Sequence, residues 1–371
     1  MKILITTGLY PPDIGGPATY SKLLADELPA RRIEVKVSSF GEVRNLPKLI
    51  RHFFYFLKVL KAGRKADIIF AQDPVSVGLP SLIAAKILRK KFILKVVGDY
   101  AWEQGTQRFG VKDLLDNFLE KKYGWQVGIL RKIQKFVAKN AKTIIVPSEY
   151  LKRIIIKWGI DSEKIKVIYN AFEAPQITVS KEEARKKLNL SGTILISAGR
   201  LVPWKGFIAL IEIMPEILEH IPDAKLMIIG RGPEENNLKF KIKNLKLSDN
   251  VFLTGGVSHE DILIYLKAGD LFILNTGYEG FSHQILEAMT FQIPVIITAI
   301  GGNLELIKNG ESGILVEYND KRNLKNAILA LYKDRDLKNK IIANARARAA
   351  EFNKEKMINE TIKIFLCLTN K

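Results

Sequence analysis

Cysteine is almost absent. Cys367 is the single one among 371 residues, so no internal disulfide can form. Histidine is scarce too: His52, His220, His259 and His283 are scattered and give no zinc-type spacing. No stretch reaches the roughly 18 apolar residues that a membrane-spanning helix needs. Residues 1–7 read as a strand and lack the apolar core and cleavage site of a secretory leader. A reducing compartment and a cytoplasmic location are therefore expected. The remaining deficit is acid: 39 acidic residues face 58 basic ones, for a net charge of +19. That balance suits nucleic acid, anionic lipid or acidic ligands. No nucleic-acid recognition module accompanies it, so no nucleic-acid partner is expected. The basic residues are spread along the whole chain, and the plainer reading is a lysine-rich solvated surface.

What is present is a soluble-type composition, 47% hydrophobic and 26% charged, in a chain long enough for two domains. Short apolar runs alternate with helical patterns. Strands are expected at 2–7, 34–39, 67–71, 92–97, 143–146 and 165–169. Helices are expected from 17 to about 29, at 46–64, 75–88 and 148–158, with a long stretch over 112–140 interrupted at Gly124 and Gly128. The region 174–191, with Pro175 and a polar run at 181–187, breaks the pattern and reads as a linker holding a short helix. Strands restart at 193–197, 225–229, 251–254, 271–274, 295–298 and 314–317, with helices between them and three late helices at 321–333, 335–350 and 355–367. Strictly alternating strands and helices predict α/β architecture: two doubly wound, Rossmann-like domains, 1–173 and 192–354, facing across a cleft. Ligands of such sheets sit at the C-terminal ends of the strands.

The most informative stretch is 275–290. It reads as strand, glycine turn, helix and strand, with the helix starting near Gly280. Glu279 stands at the helix mouth and Glu287 lies eight residues on, about 12 Å along the axis. Carboxylates that far apart share neither a metal nor a proton, but they can hold two ends of one extended ligand. The N–H groups of the first helical turn between them, at Phe281, Ser282, His283 and Gln284, suit an anion. Hydroxyls at both ends with phosphates between describe a nucleotide sugar. The plainer reading is a surface helix with two solvated glutamates.

Upstream, Arg200 and Lys205 flank the turn after the strand at 193–197. Arg offers a fork and Lys a point charge to a diphosphate; two solvated cations are the alternative. Gly15 and Gly16 precede a helix start, where backbone can approach an anionic ligand. Gly230-Arg-Gly232 begins like a dinucleotide fingerprint but lacks its third glycine, so it is a weak signal for such a cofactor. Asp334-Arg-Asp336 has the form of a metal-binding Asp-x-Asp, but it sits between two helices and reads as solvated surface.

The run Glu279-Gly-Phe-Ser-His-Gln-Ile-Leu-Glu287-Ala-Met, followed by Ile293-Pro-Val-Ile, resembles the E-x7-E segment of family 4 retaining glycosyltransferases of the GT-B type. The resemblance extends from Met1 to about residue 352. It implies that Arg200 and Lys205 hold the donor's pyrophosphate, Glu279 the transferred sugar and Glu287 the ribose. It also implies that Gly15 and Gly16 lie near the phosphates and acceptor, that backbone near Val257 grips the base, and that the last helix, 355–371, packs back on the first domain. His283 departs from the small or apolar residues common at its position, and the sugar-contacting His of many relatives is missing near residue 99. Asp99 is a candidate to take its place, unless it merely caps the next helix.

The reaction implied is retaining transfer of a hexosyl or N-acetylhexosaminyl group from a UDP- or GDP-sugar to a saccharide or lipid-linked acceptor. No cofactor and no metal are implied. The alternatives are a sugar-nucleotide epimerase of similar fold and a non-catalytic nucleotide-sugar-binding protein. The helix at 46–65 combines Phe53, Phe54, Tyr55 and Phe56 with six basic residues and no acid, and Lys86 and residues 89–91 extend its charge. It is a candidate for an anionic membrane surface, which would make the protein peripheral at the inner face. A helix packing its aromatics in the core is the alternative.

Overall fold

The computed structural model describes residues 1–13, 15–173 and 179–369. The chain divides into two compact units, Met1–Asn170 with Lys354–Lys371, and Ala171–Asn353.

In unit 1 the order is β1 (Lys2–Thr7), α1 (Gly16–Glu27), β2 (Glu34–Ser39), α2 (Lys48–Gly63), β3 (Ile68–Ala71), α3 (Gly78–Ile87), β4 (Lys91–Lys95), α4 (Tyr100–Arg108), α5 (Leu115–Glu120), α6 (Trp125–Asn140), β5 (Thr143–Val146), α7 (Glu149–Lys157) and β6 (Ile165–Val167). The strands are rich in Ile and Val and most are buried on both faces, as a helix-covered parallel sheet requires. They pair in parallel in the order β2-β1-β3-β4-β5-β6. The order reverses between β1 and β3, which makes the C-terminal ends of those two strands the topological switch point.

Unit 2 runs α8 (Lys181–Lys187), β7 (Thr193–Ala198), α9 (Phe207–His220), β8 (Ala224–Ile229), α10 (Glu235–Asn244), β9 (Val251–Gly255), α11 (His259–Ala268), β10 (Leu271–Leu274), α12 (His283–Thr290), β11 (Val295–Thr298), α13 (Asn303–Leu306), β12 (Ile314–Val316), α14 (Lys321–Lys333) and α15 (Arg335–Ala350). Its sheet is again parallel, β12-β11-β10-β7-β8-β9, with the switch point between β7 and β10. Leu195, Leu226, Ile228, Ile273 and Ile296 of the sheet join Leu210, Met214 and Ile217 of α9 in one core. The last helix, α16 (Lys354–Thr369), belongs to unit 1 as expected. Phe365 is fully buried and meets Phe70 of β3 edge-on at 5.5 Å. Arg31 pairs with Glu355 at 2.7 Å, and Glu27 with Lys354 at 2.8 Å.

Three expectations need correction. The unit boundary falls at 170/171, and most of the expected linker belongs to unit 2, although its residues 174–178 lie outside the described residues. Ala184 of α8 packs with Ile264 and Ala268 of α11, while Lys181 and Arg185 clamp Asp270 at 2.6 and 2.5 Å. A polar run therefore reads as linker in sequence and as an anchored helix in space. The stretch 112–140 is not one glycine-interrupted helix. Gly124 caps α6, but Gly128 lies inside it, its ~1 kcal/mol propensity cost carried by tertiary packing. Finally, α12 begins at His283 and not near Gly280. Ser282 is its cap, accepting the Ile285 N–H at 3.4 Å, and the segment before it is pinned by the Gly302 N–H, which donates to the Glu279 carbonyl at 2.9 Å.

Candidate active site

The turns after β7 and β10 are stitched together at the switch point of unit 2. Asn275 Nδ2 donates to the Gly206 carbonyl at 2.9 Å, and the Gly277 N–H to the Trp204 carbonyl at 2.7 Å. Thr276 Oγ1 adds a third bond to the Trp204 carbonyl at 3.2 Å. Gly206 is left-handed, φ 55°, and a Cβ there would stand 2.4 Å from Asn275. Only glycine allows this approach. The short 3₁₀ turn Pro203–Lys205 ends at that glycine, and α9 starts after it.

This stitching delivers Lys205 to Glu279. Nζ lies 2.6 Å from Oε2, with side chains only 13% and 16% exposed. The two expected donor-contact residues, 74 positions apart in sequence, thus form a half-buried ion pair across the switch point. Gln284 joins them. Its Oε1 and the Lys205 stem both lie within 3.8 Å of where a Cβ on Gly199 would stand. Arg200 sits on the same turn with its side chain exposed, and its carbonyl accepts the Val202 N–H at 2.9 Å. Ser282 and His283 open α12, whose first turn adds main-chain N–H groups and the positive end of the helix dipole. Phe281 has a different job. It is buried and meets Phe352 at 5.3 Å, so its ring fixes the approach to the helix.

Glu287 is on α12 and almost fully buried. Its Oε1 is 2.9 Å from His259 Nε2. The hydrogen bond to Glu287 raises the His259 pKa above its ordinary value, against the opposing effect of burial. Phe172 meets the His259 ring edge-on at 6.3 Å. Val257 is half-buried on the loop between β9 and α11, two residues before His259. Arg231 lies beside that loop, its Nε 3.2 Å from where a Cβ on Gly256 would stand. Sequence reasoning missed both His259 and Arg231. Twenty-eight residues separate His259 from Glu287, and no local spacing signals the pair. Gly230 and Gly232 serve close packing: a Cβ on either would fall 1.9 or 2.2 Å from the carbonyls of Gly199 and Leu201.

Asp99 is the correction within the candidate set. It is fully buried in unit 1 and caps α4. Its carboxylate accepts from the Trp102 N–H at 2.9 Å, Gln134 Nε2 at 3.1 Å and Trp158 Nε1 at 3.0 Å. Three donors inside the core make it a structural carboxylate with no face left for a sugar. Gly15 and Gly16 open α1 of unit 1, with Gly15 as its cap and Pro17 in its first turn. Asp334 caps α15 through the Leu337 N–H at 2.9 Å, as a surface residue. Among the described residues no three His, Cys, Asp or Glu side chains converge as a metal site. A pocket of about 290 Å³ in unit 2, lined by Glu212, Glu234 and Lys321, includes none of Lys205, Glu279 or Glu287.

Comparison with known proteins matches both units. The profile of the family described as Glycosyltransferase Family 4 covers residues 14–174, and that of Glycosyl transferases group 1 covers residues 180–348. An uncharacterized glycosyltransferase of Methanocaldococcus jannaschii is 26% identical over 100% of this chain and 99% of its own. The UDP-Gal:alpha-D-GlcNAc-diphosphoundecaprenol alpha-1,3-galactosyltransferase of Escherichia coli is 29% identical over 87% of this chain and 79% of its own. Among solved structures, Anabaena HepE in complex with UDP-glucose superimposes with a TM-score of 0.79 at 22% identity, covering 99% of this chain and 100% of that one.

Proposed function

The chain is a nucleotide-sugar-dependent glycosyltransferase of the family 4 type on the GT-B fold, and on that premise we propose that it transfers a hexosyl or N-acetylhexosaminyl group with retention and without a metal ion. The observation that carries this reading is the Lys205–Glu279 pair across the switch point of unit 2. Each member keeps the other's charge compensated until a donor arrives. Lys205 and Arg200 then face the diphosphate, with the opening turn of α12 beside them, and Glu279 takes hydroxyls of the transferred sugar. The anomeric C–O bond to the diphosphate breaks while an acceptor oxygen attacks from the same face. The acceptor's proton passes to the departing phosphate oxygen. The cations and main-chain N–H groups stabilise the leaving group electrostatically, in the place a metal would otherwise fill. Glu287, held by His259, takes the ribose. A UDP-sugar is favoured over a GDP-sugar by the names of the Escherichia coli and Anabaena proteins.

The test is a panel of UDP- and GDP-sugars, reading nucleoside diphosphate release with and without EDTA and the product's anomeric configuration by NMR. Release that survives EDTA, with the donor configuration kept, is the expected result. No release from any donor sinks the transferase reading. Inversion, or rescue of an EDTA-treated enzyme by Mg²⁺ or Mn²⁺, sinks the mechanism.

The acceptor we propose is lipid-linked, reached by peripheral attachment. No helix among the described residues is long and apolar enough to cross a membrane. The exposed face of α2 nonetheless carries Ile50, Phe53, Phe54 and Leu57 at helical spacing. Ile83 and Ile87 of α3 and Ile129 and Phe136 of α6, on helices packed in sequence beside it, are also exposed. None of these three helices contains an acidic residue. Two details of the sequence expectation change. Tyr55 is buried and donates to the Ser38 carbonyl at 2.8 Å, and Lys58 is paired with Glu42. The free contribution therefore comes from the apolar face with Lys61 and Arg64, each cation worth about 1 kcal/mol at an anionic surface. Co-sedimentation with vesicles containing anionic lipid is expected to fall in Phe53→Ser/Phe54→Ser and in Lys61→Glu/Arg64→Glu. Equal recovery with neutral and anionic vesicles would refute the attachment.

A further inference from the structure

We propose that Arg348 of α15 is a positioning residue that sets the Glu279 carboxylate against Lys205. The proposal rests on the transferase reading, because it names what holds one half of that ion pair in place. The Lys205 side is held by Asn275 and Thr276, which bond the carbonyls of Gly206 and Trp204. Glu279 stands outside regular structure, between β10 and α12. Two contacts hold the backbone there. The Gly302 N–H donates to the Glu279 carbonyl at 2.9 Å. A Cβ on Gly302 would stand 2.1 Å from the Gly280 carbonyl oxygen, so the two turns can lie this close only with glycine at 302. The second contact is between rings: the buried Phe281 meets the buried Phe352 edge-on at 5.3 Å.

Both contacts lead to Arg348. Gly302 is the N-cap of α13. The last carbonyls of a helix have no partner within it, and at α13 Arg348 supplies one. Its Nη2 donates to the Glu305 carbonyl at 2.6 Å and its Nε to the Leu306 carbonyl at 3.3 Å. The same guanidinium lies 5.0 Å from the Phe352 ring centroid, and Nη1 pairs with Glu351. One planar fork thus ties the turn that holds the Glu279 carbonyl to the ring that holds Phe281. A lysine would bring a point charge in place of that fork. The fork is itself anchored beside the helix it serves. α15 buries Ile341, Ala345 and Ala349 and packs against α12.

The test reads turnover and hydrogen exchange on the full chain. Arg348→Met is expected to lower kcat, measured as nucleoside diphosphate release, by about tenfold to a hundredfold, the scale set by misplacing a group by about an ångström. UDP affinity by calorimetry is expected to stay within about threefold, since the diphosphate contacts of Lys205 and α12 remain. Arg348→Lys is expected to fall between Arg348→Met and the parent. In a Glu279→Gln background Arg348→Met is expected to cost less than about twofold more, because the carboxylate it positions is already gone. A full multiplicative loss in that background, or an unchanged kcat in Arg348→Met, overturns the proposal. Exchange needs no substrate. In Arg348→Met the Gly302 amide is expected to exchange faster, read by mass spectrometry on a peptide spanning 299–306, while β7 and β10 exchange as before. Unchanged exchange at 299–306, or an equal rise in the strands, makes Arg348 a general stabiliser and also overturns it. If Arg348→Met does not fold, Arg348→Lys carries both readings. The expected exchange pattern in a chain that releases diphosphate from no donor counts against the transferase reading and not against the positioning of Glu279.

Discussion

Each unit reverses its strand order once, and the two switch points are furnished differently. In unit 2 a lysine and a glutamate meet across the reversal, with Arg200 and a helix N-terminus alongside. In unit 1 the reversal holds one carboxylate, Asp73, steadied by backbone N–H groups. Unit 1 has a lysine at the end of β4, Lys95, but it is buried. Its Nζ lies 3.0 Å from the Tyr20 ring centroid and 3.2 Å from Asn170 Oδ1, and burial drives its pKa well below the ordinary value. Two parallel sheets of related but different strand order thus carry basic side chains at one reversal and a carboxylate at the other.

The largest test of that contrast is Lys205→Ala or Glu279→Gln. Loss of a preorganised electrostatic contact typically costs 10²–10³ in turnover, so transfer is expected to fall at least a hundredfold, read as diphosphate release. Each single variant also strands a half-buried charge, so the melting temperature is expected to drop as well. The double variant Lys205→Met/Glu279→Gln is expected to regain the melting temperature but not the activity. Recovery of both would make the pair merely structural.

Next in size is Asp99→Ala. It leaves three buried donors without an acceptor, and unsatisfied groups of this kind cost about 1–3 kcal/mol each before relaxation. Urea unfolding is expected to show a loss of several kcal/mol in unit 1. A stable Asp99→Ala protein that fails only in transfer would restore Asp99 to the catalytic set. Lys95→Met then contrasts the two lysines. Replacing a buried amine by an apolar group of similar length is expected to leave the melting temperature unchanged or raise it. A fall as large as that of Lys205→Ala would show that Lys95 is held charged.

The smallest effect is that of His259. Its folded pKa is raised, chiefly by the bond to Glu287, so its contribution to stability is fully present below the unfolded value near 6.5 and disappears as pH rises through the folded value. The ring is 41% exposed, so solvent screening keeps the effect modest. A melting-temperature profile is expected to lose this alkaline step in His259→Gln. The same step in both proteins would assign it to another group.

Much of this was legible in sequence where a short-range pattern carried it. The run from Glu279 to Glu287 and the turn after β7 singled out Glu279 and Lys205, the two side chains that the fold brings together. What the sequence did not show were relations made by packing. The buried pairing of Glu287 with His259 bridges two helices. Asp99 looked equally suited to a cap and a sugar contact until Trp158 and Gln134, 59 and 35 residues away, filled its carboxylate. The charge of 181–187 suggested a linker because the acid that holds it, Asp270, comes more than 80 residues later.

The return of α16 sets an order of assembly. Phe365 closes over Phe70 in a layer whose other parts were made first. At about 5–20 residues per second, the ribosome takes tens of seconds to add unit 2 before that ring emerges. Until then the first-made sheet waits with the underside of β3 uncovered, while the continuous segment Ala171–Asn353 has every residue it needs to fold. The later-made unit is therefore the one able to mature first, and a chain cut short before residue 354 would release an intact unit 2 tethered to an unfinished unit 1.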